Sequence, residues 1–191
     1  YNNHRNSKPT YTLLKGLRYF NDRKISLSKK SIDIGCGQGT DVGELLNQGW
    51  DVLAVDKELE AEKIIIDRFS KFHGKKLITQ VQKMESIIIP EITLVNASFS
   101  LPFCNPNKFS NLWSEITAKL SIGGIFCGQL FGLEDSWASN NNMTFHHRNS
   151  LDSLFNNFRI HLLHEENKIS KTSSGEEKNW HIFHLVAVKQ K

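Results

Sequence analysis

The chain has 191 residues, 39% of them apolar and 23% charged, a balance that suits one globular domain with a core of its own. No apolar run approaches the roughly 20 residues a helix needs to cross a bilayer, so an integral helical membrane protein is excluded and a cytoplasmic setting is expected. The formal charge of +4 is scattered, with Lys29-Lys30 and Lys75-Lys76 as its densest clusters; a nucleic-acid footprint would be a denser stripe, and no such partner is expected.

In chain order, residues 1–30 read as a helical lead-in, with Leu13, Leu14, Leu17 and Phe20 at helical spacing after Pro9-Thr10. Ser31–Ile34 reads as a short buried strand that runs into the turn Gly35-Cys36-Gly37-Gln38-Gly39. Thr40 or Asp41 is placed to cap the next helix, whose apolar face carries Val42, Leu45 and Leu46, with Gly49 as its stop. Asp51–Val55 is a second strand, ending at Asp56. Glu58 through Phe72 reads as a helix closed by Gly74, with Ala61, Ile64, Ile65 and Phe69 toward the sheet. Leu77–Val81 and Ile92–Ala97 are the third and fourth strands. A helix from about Phe109 to Leu120 leads through Gly123-Gly124 into a fifth strand, Ile125–Phe131.

The remainder changes character. A polar loop, Gly132–Asn142, precedes a short helix at Ser150–Phe155. Strands at Ile160–Glu166 and His181–Val188 follow, joined by a polar linker, Asn167–Asn179, that contains Ser173-Ser174-Gly175. Alternating strands and helices that end in a hairpin imply a mainly parallel sheet with an antiparallel edge.

Metal and thiol chemistry find little support. Cys36, Cys104 and Cys127 are odd in number, none is spaced C-x-x-C, and each has apolar or glycine neighbours. His181 and His184 stand three apart on a strand and point to opposite faces, while the adjacent His146-His147 pair is a poor ligand set alone. No metal is expected; His147 and His184 read as structural, and Trp180 as packing at the sheet edge.

The strand–turn–helix unit carries the functional signal. A dinucleotide turn has the form G-x-G-x-x-G, but the third glycine position falls on Thr40 or on Val42. The spacing present is G-x-G-x-G at Gly35, Gly37 and Gly39, which suits a ligand without a pyrophosphate. Asp56 stands 21 residues beyond Gly35, where a carboxylate accepts hydrogen bonds from ribose hydroxyls.

The segment Ile32-Asp33-Ile34-Gly35-Cys36-Gly37-Gln38-Gly39-Thr40-Asp41 resembles motif I of class I S-adenosylmethionine-dependent methyltransferases. Within that class the chain is similar to the small tellurite-resistance-type methyltransferases, through Gly49–Asp56, Asn96–Cys104, Gly128–Gly132 with Asp135-Ser136-Trp137-Ala138, Met143–His146 and Trp180–His184. The resemblance implies an α/β, Rossmann-like methyltransferase fold: a mostly parallel seven-stranded sheet with an antiparallel β-hairpin edge and helices on both faces. It implies one domain over 1–191, with the lead-in at 1–30, a cofactor-binding core at 31–131 and a substrate side at 132–191. S-adenosylmethionine would be the cofactor and S-adenosylhomocysteine its product. The implied contacts are Asp33, Gly35, Cys36, Gly37, Gly39 and Asp41 from motif I, Asp56 at the ribose, and Lys57, Met84 and Glu85 around the adenine. Asn96, Ala97 and Ser98 would lie beside the methyl donor. Met84 reads equally well as core, because methionine fills gaps freely.

Methyl transfer needs alignment more than acid–base chemistry, and a base serves only acceptors that carry a proton. His146 and Ser98 are the catalytic candidates. The substrate-side candidates are Phe99, Phe103, Gln129, Phe131, Trp137, His146 and His181, of which Phe99, Phe103 and Phe131 also suit plain core positions. The expected activity is methylation of a small-molecule acceptor such as a thiol or a chalcogen oxyanion. The alternatives are an RNA or protein methyltransferase, or a non-catalytic scaffold that binds the cofactor. A nicotinamide oxidoreductase is disfavoured by Thr40, and no oligomeric state is read from the sequence.

Overall fold

The computed structural model describes residues 8–23, 26–172 and 174–191; positions 1–7 and 24–25 of the expected lead-in and Ser173 of the expected linker lie outside the described residues. Helix α1 (Tyr11–Asp22) leads into β1 (Lys30–Ile34), α2 (Thr40–Asn47), β2 (Asp51–Asp56), α3 (Leu59–Arg68) and β3 (Leu77–Val81). Then come β4 (Ile92–Ala97), α4 (Pro106–Lys119), β5 (Leu120–Gly132), β6 (Phe145–His146), α5 (Ser150–Leu154), β7 (Phe158–Lys171) and β8 (Glu177–Lys189).

One sheet joins all the strands in the order β3-β2-β1-β4-β5-β8-β7. Strands β1 to β5 are mutually parallel, while β8 runs antiparallel to β5 and β7 antiparallel to β8. The expected seven strands are therefore present. An eighth, the two-residue β6, pairs with the end of β5 through Phe131↔Phe145 and Gly132↔His146. A two-residue strand leaves no period to read, so the sequence gives no sign of it.

Every residue of β4 is buried, because helices cover both faces of the parallel half. On one face, α1, α2 and α3 pack Leu13, Leu17, Val42, Leu45 and Ile65 against Val52, Leu94, Cys127 and Val186. On the other, α4 and α5 set Leu112, Trp113, Ile116 and Leu151 against Ile34, Val95, Phe126 and Phe183. Burying each of these large side chains contributes about 1.5–3 kcal/mol. Helix α1 lies very close to the sheet: a Cβ on Gly16 would collide with Cys127 Sγ.

Four expectations change at element boundaries. The polar linker is mostly strand, since β7 and β8 stay paired from Asn167↔His181 out to Lys171↔Glu177. This arm reaches past the sheet and exposes most of β7, so neither strand shows an apolar alternation there. Strand β5 begins at Leu120 and takes in Gly123-Gly124, where the pairing with β4 shifts register between Ile92 and Leu94. Helix α3 ends at Arg68 rather than Phe72. The cap of α2 is Gly39, in the left-handed region at φ 76°, with no side-chain cap; Asp41 is engaged across the site instead.

Candidate functional site

In an open α/β sheet, ligands bind beyond the carboxyl ends of the strands where the strand order reverses. Here that point lies between β1 and β4, and two adjoining cavities occupy it. The larger, ≈ 550 Å³, is lined by Asp56, Lys57, Met84, Glu85, Phe99 and Phe103 among others. The smaller, ≈ 450 Å³, is lined by Thr10, Asp33, Cys36, Gly37, Asp41 and Ser98 among others. Gly35 and Phe99 border both.

The turn after β1 is tied to β2, because the amides of Gly35 and Cys36 both donate to Val55 O, at 2.8 and 3.1 Å. At Gly37 the chain has φ 51°, a conformation that favours glycine, and a Cβ there would meet nothing within 4 Å. The backbone can therefore approach a ligand closely at this point. The Gly37 amide donates to Asp56 Oδ2 at 2.9 Å and the Glu58 amide to Oδ1 at 3.0 Å. These two bonds fix the Asp56 carboxylate at the end of β2.

Beneath the smaller cavity lies a network of acids. Asp41 Oδ1 accepts from the Thr10 amide at 2.8 Å. Its Oδ2 accepts from Thr10 Oγ1 at 2.6 Å, Ser98 Oγ at 2.8 Å and Asn96 Nδ2 at 2.9 Å. Asn96 Nδ2 also donates to Asp33 Oδ1 at 2.8 Å. Asp33 Oδ2 is buried and has no hydrogen-bond partner among the described residues. Burial, then the charge of Asp41, holds the Asp33 carboxyl well above the usual carboxylate range, against the opposing pull of the Asn96 hydrogen bond. Among the described residues no cation pairs with this oxygen, and Lys8 borders the same cavity.

Burial disfavours the thiolate form of all three cysteines. Burial, then the charges of Asp33 and Asp56, pushes the Cys36 thiol up; burial lifts Cys104 to about 12, and Cys127 is raised as well.

Of the expected cofactor contacts, Asp33, Gly35, Cys36, Gly37, Asp41 and Ser98 meet at the smaller cavity, and Gly35, Asp56, Lys57, Met84 and Glu85 at the larger. Three stand back. Gly39 packs toward Ile65 and Phe69, Ala97 is fully buried, and Asn96 lies under the two acids that it bridges.

The expected substrate-side residues divide more sharply. Phe99 and Phe103 line the cleft. Gln129 is buried, accepting from the Phe99 amide at 2.9 Å and donating to Thr12 Oγ1 at 3.0 Å. Phe131 belongs to a small core with Met143 and Ile182, against which Trp137 packs. His181 is buried, with Nδ1 accepting from the Glu134 amide at 3.1 Å and Nε2 at 2.8 Å from Glu165 Oε1. His146 packs on Phe109 of α4 at 4.8 Å between ring centroids and lines neither cavity; burial lowers its pKa to about 4. Thr10 is a wall residue that sequence reasoning missed, because a threonine ahead of a helix reads as a cap and its partner Asp41 stands 31 positions away.

No protein-family model and no curated protein matches the chain. Solved structures do match. TehB from Haemophilus influenzae superposes with a TM-score of 0.75 at 15% identity, over 91% of this chain and 62% of its own. The chain thus spans less than two thirds of that protein. Magnesium protoporphyrin IX methyltransferase from Synechocystis, solved with bound S-adenosylmethionine, gives 0.62 at 14% identity over 94% and 78%. The 1,6-didemethyltoxoflavin-N1-methyltransferase of Burkholderia thailandensis, solved with its substrate and S-adenosylhomocysteine, gives 0.62 at 17% over 95% and 79%. Together with the strand order, these superpositions show that the chain has the Rossmann-like fold of S-adenosylmethionine-dependent methyltransferases.

Proposed function

We propose that the chain is an S-adenosylmethionine-dependent methyltransferase that acts on a small-molecule acceptor. One observation carries this reading. Two carboxylates bracket the Gly35–Gly37 turn: Asp33, with an orphaned oxygen, in one cavity, and the amide-held Asp56 in the other. A ligand with an ammonium at one end and a ribose diol at the other satisfies both at once.

In this reading Asp33 takes the ammonium and Asp56 the ribose hydroxyls, with Met84, Glu85 and Lys57 around the adenine. The bound donor supplies a methyl group activated by a sulfonium. Thr10, Ser98 and Asn96 hold Asp41 and give the smaller cavity a rigid wall, so alignment is built before any acceptor arrives. Phe99 and Phe103 present aromatic surface that excludes water and favours a cation nearby. Burial disfavours the thiolate of Cys36, Cys104 and Cys127, which favours direct transfer to the acceptor over an enzyme cysteine. The scale of the cavities favours a small acceptor, and the protoporphyrin and toxoflavin enzymes are named for small molecules. A cytoplasmic location fits this chemistry, and among the described residues no helix is long and apolar enough to cross a membrane.

Calorimetry with S-adenosylhomocysteine tests the reading. Asp56→Ala removes charge-assisted bonds of about 1.5–3 kcal/mol, a loss of roughly 10- to 100-fold in affinity. Unchanged affinity in the variant would remove the ribose assignment, and no heat with the folded parent chain would remove the whole reading.

A further inference from the structure

Gly35 is a glycine for the protein's sake as much as for a ligand's. A Cβ at this position would collide with the Cβ of Ser100 and stand 3.2 Å from its Oγ, so Ser100 is seated directly on the turn that borders both cavities. The chain on either side of Ser100 is held tightly. Before it, Ser98 Oγ donates to Asp41 Oδ2 at 2.8 Å, and the Phe99 amide donates to Gln129 Oε1 at 2.9 Å. Gln129 is itself buried and fixed, its Nε2 donating to Thr12 Oγ1 of α1 at 3.0 Å. After it, the Phe103 amide donates to Ser100 O at 2.9 Å. Among the described residues Phe99 is the only non-glycine residue with positive φ, at 54°. A left-handed phenylalanine persists where its surroundings over-determine it, and these bonds do so.

The Ser100 side chain stands apart from this bonding. The residue is 6% exposed, and its Oγ is buried with no hydrogen-bond partner among the described residues. It lines the larger cavity and not the smaller. Among the described residues that line the larger cavity, no other has a buried side-chain polar atom left unpaired. A buried hydroxyl without a partner costs free energy, so a ligand atom that pairs with it gains affinity.

We propose that Ser100 is a cofactor-binding residue whose hydroxyl donates a hydrogen bond to a ring nitrogen of the adenine. This rests on the methyltransferase reading above, in which the larger cavity holds the adenosyl half. That half carries two kinds of polar group. Its ribose hydroxyls and its exocyclic amine donate, and two carboxylates that line this cavity accept: Asp56, and Glu85, which the Asn105 amide holds at 3.1 Å. Its ring nitrogens carry lone pairs and no proton, so they need a donor. Lys57 and Lys83 also line the cavity, but both are exposed and water already satisfies them. Ser100 offers a neutral donor that is already buried, and its pairing takes no charge out of water. A base with carbon in place of that nitrogen leaves the hydroxyl unpaired, so Ser100 gives the site part of its preference for adenine.

The test is calorimetry on the full chain with S-adenosylhomocysteine and with its analogues in which carbon replaces one ring nitrogen, N1, N3 or N7. Ser100→Ala, close to the parent in shape, should weaken S-adenosylhomocysteine by roughly 3- to 10-fold. The parent should lose a similar factor with the analogue that lacks the bonded nitrogen, while Ser100→Ala should bind that analogue and S-adenosylhomocysteine alike. The urea midpoint of the free Ser100→Ala chain should match or exceed the parent's, because the hydroxyl that it removes bonds to nothing else in the fold. Unchanged affinity for S-adenosylhomocysteine in Ser100→Ala overturns the proposal alone. So do losses that simply add with all three analogues, because a hydroxyl that bonds none of these nitrogens serves only to pack against Gly35. Absence of any heat in the parent chain overturns the methyltransferase reading beneath it.

Discussion

Asp33 and Asp135 are both almost completely buried, at 2% and 3% exposure, yet their surroundings are opposite. Asp135, in the loop after β5, is saturated. Lys178 Nζ pairs with Oδ1, the Trp137 amide donates to the same oxygen at 3.0 Å, and the His181 amide donates to Oδ2 at 3.2 Å. The ammonium is enclosed in turn by Trp137 and Trp180, at 3.7 and 4.1 Å from the ring centroids. Asp33 receives a single amide from Asn96 on one oxygen, and two further acids stand nearby. A buried acid with its own cation serves the fold. A buried acid with no cation paired to it among the described residues, at a strand-order switch, is a candidate for a ligand's ammonium.

The strongest way to break this contrast is Lys178→Met. If the cation is what compensates Asp135, its removal leaves a buried charge on two amides and costs about 3–5 kcal/mol in urea or thermal unfolding. Adding Asp135→Asn to the same chain should recover most of the loss, and folded Lys178→Met should bind S-adenosylhomocysteine within a few-fold of the parent. A loss under about 1 kcal/mol would mean that amides suffice for a buried carboxylate here, and the case for a missing cation at Asp33 would weaken with it.

The two acids also differ in how far the sequence announces them. Gly35, Gly37, Gly39 and Asp56 are legible because a tight turn and a strand end impose local rules on residue type. The parallel strands are legible for a similar reason: burial on both faces writes itself as an apolar run, as in Ile92–Ala97. What joins the site together is not local. Thr10 reaches Asp41 across 31 positions and Lys178 reaches Asp135 across 43, and a threonine or a lysine alone carries no mark of its partner. The arm of β7 and β8 was equally hidden. Strand pairing there is backbone to backbone, with polar side chains on much of β7, so composition points to a loop.

His146 sharpens the contrast from the side of the bases. It too is uncompensated, with Nε2 unpartnered among the described residues, but it faces α4 and not the cleft. Its burial should therefore appear only in stability. The folded ring titrates at about 4 and the unfolded one near 6.5, so above pH 6.5 both states are neutral and nothing is lost. As the pH falls from 6.5 through 4 the unfolded chain binds the proton first, and stability should drop by about 3 kcal/mol. His146→Phe should flatten that part of the pH–stability curve without changing affinity for S-adenosylhomocysteine. If affinity follows the same histidine, His146 belongs to the site after all.

The finest test is at Asp33 itself. Its carboxyl is raised by burial and by Asp41, so the ligand-free fold favours the protonated form and its contribution to stability falls as pH rises past the unfolded value. Asp33→Asn removes that dependence and should leave the free protein as stable at pH 7 as the parent, or more so. The same change should weaken S-adenosylhomocysteine by roughly 10- to 100-fold, the worth of a charge-assisted bond of about 1.5–3 kcal/mol. An ammonium arriving at Oδ2 favours the ionised carboxylate, so whatever share of Asp33 is protonated in the free protein loses its proton on binding. In the parent chain the heat of binding should therefore differ between phosphate and Tris, whose own ionisation heats differ, and in Asp33→Asn it should not. Equal heats in both buffers for the parent would mean that the acid taking the ammonium is already ionised; unchanged affinity in Asp33→Asn would make Asp33 a core residue at the edge of the cleft.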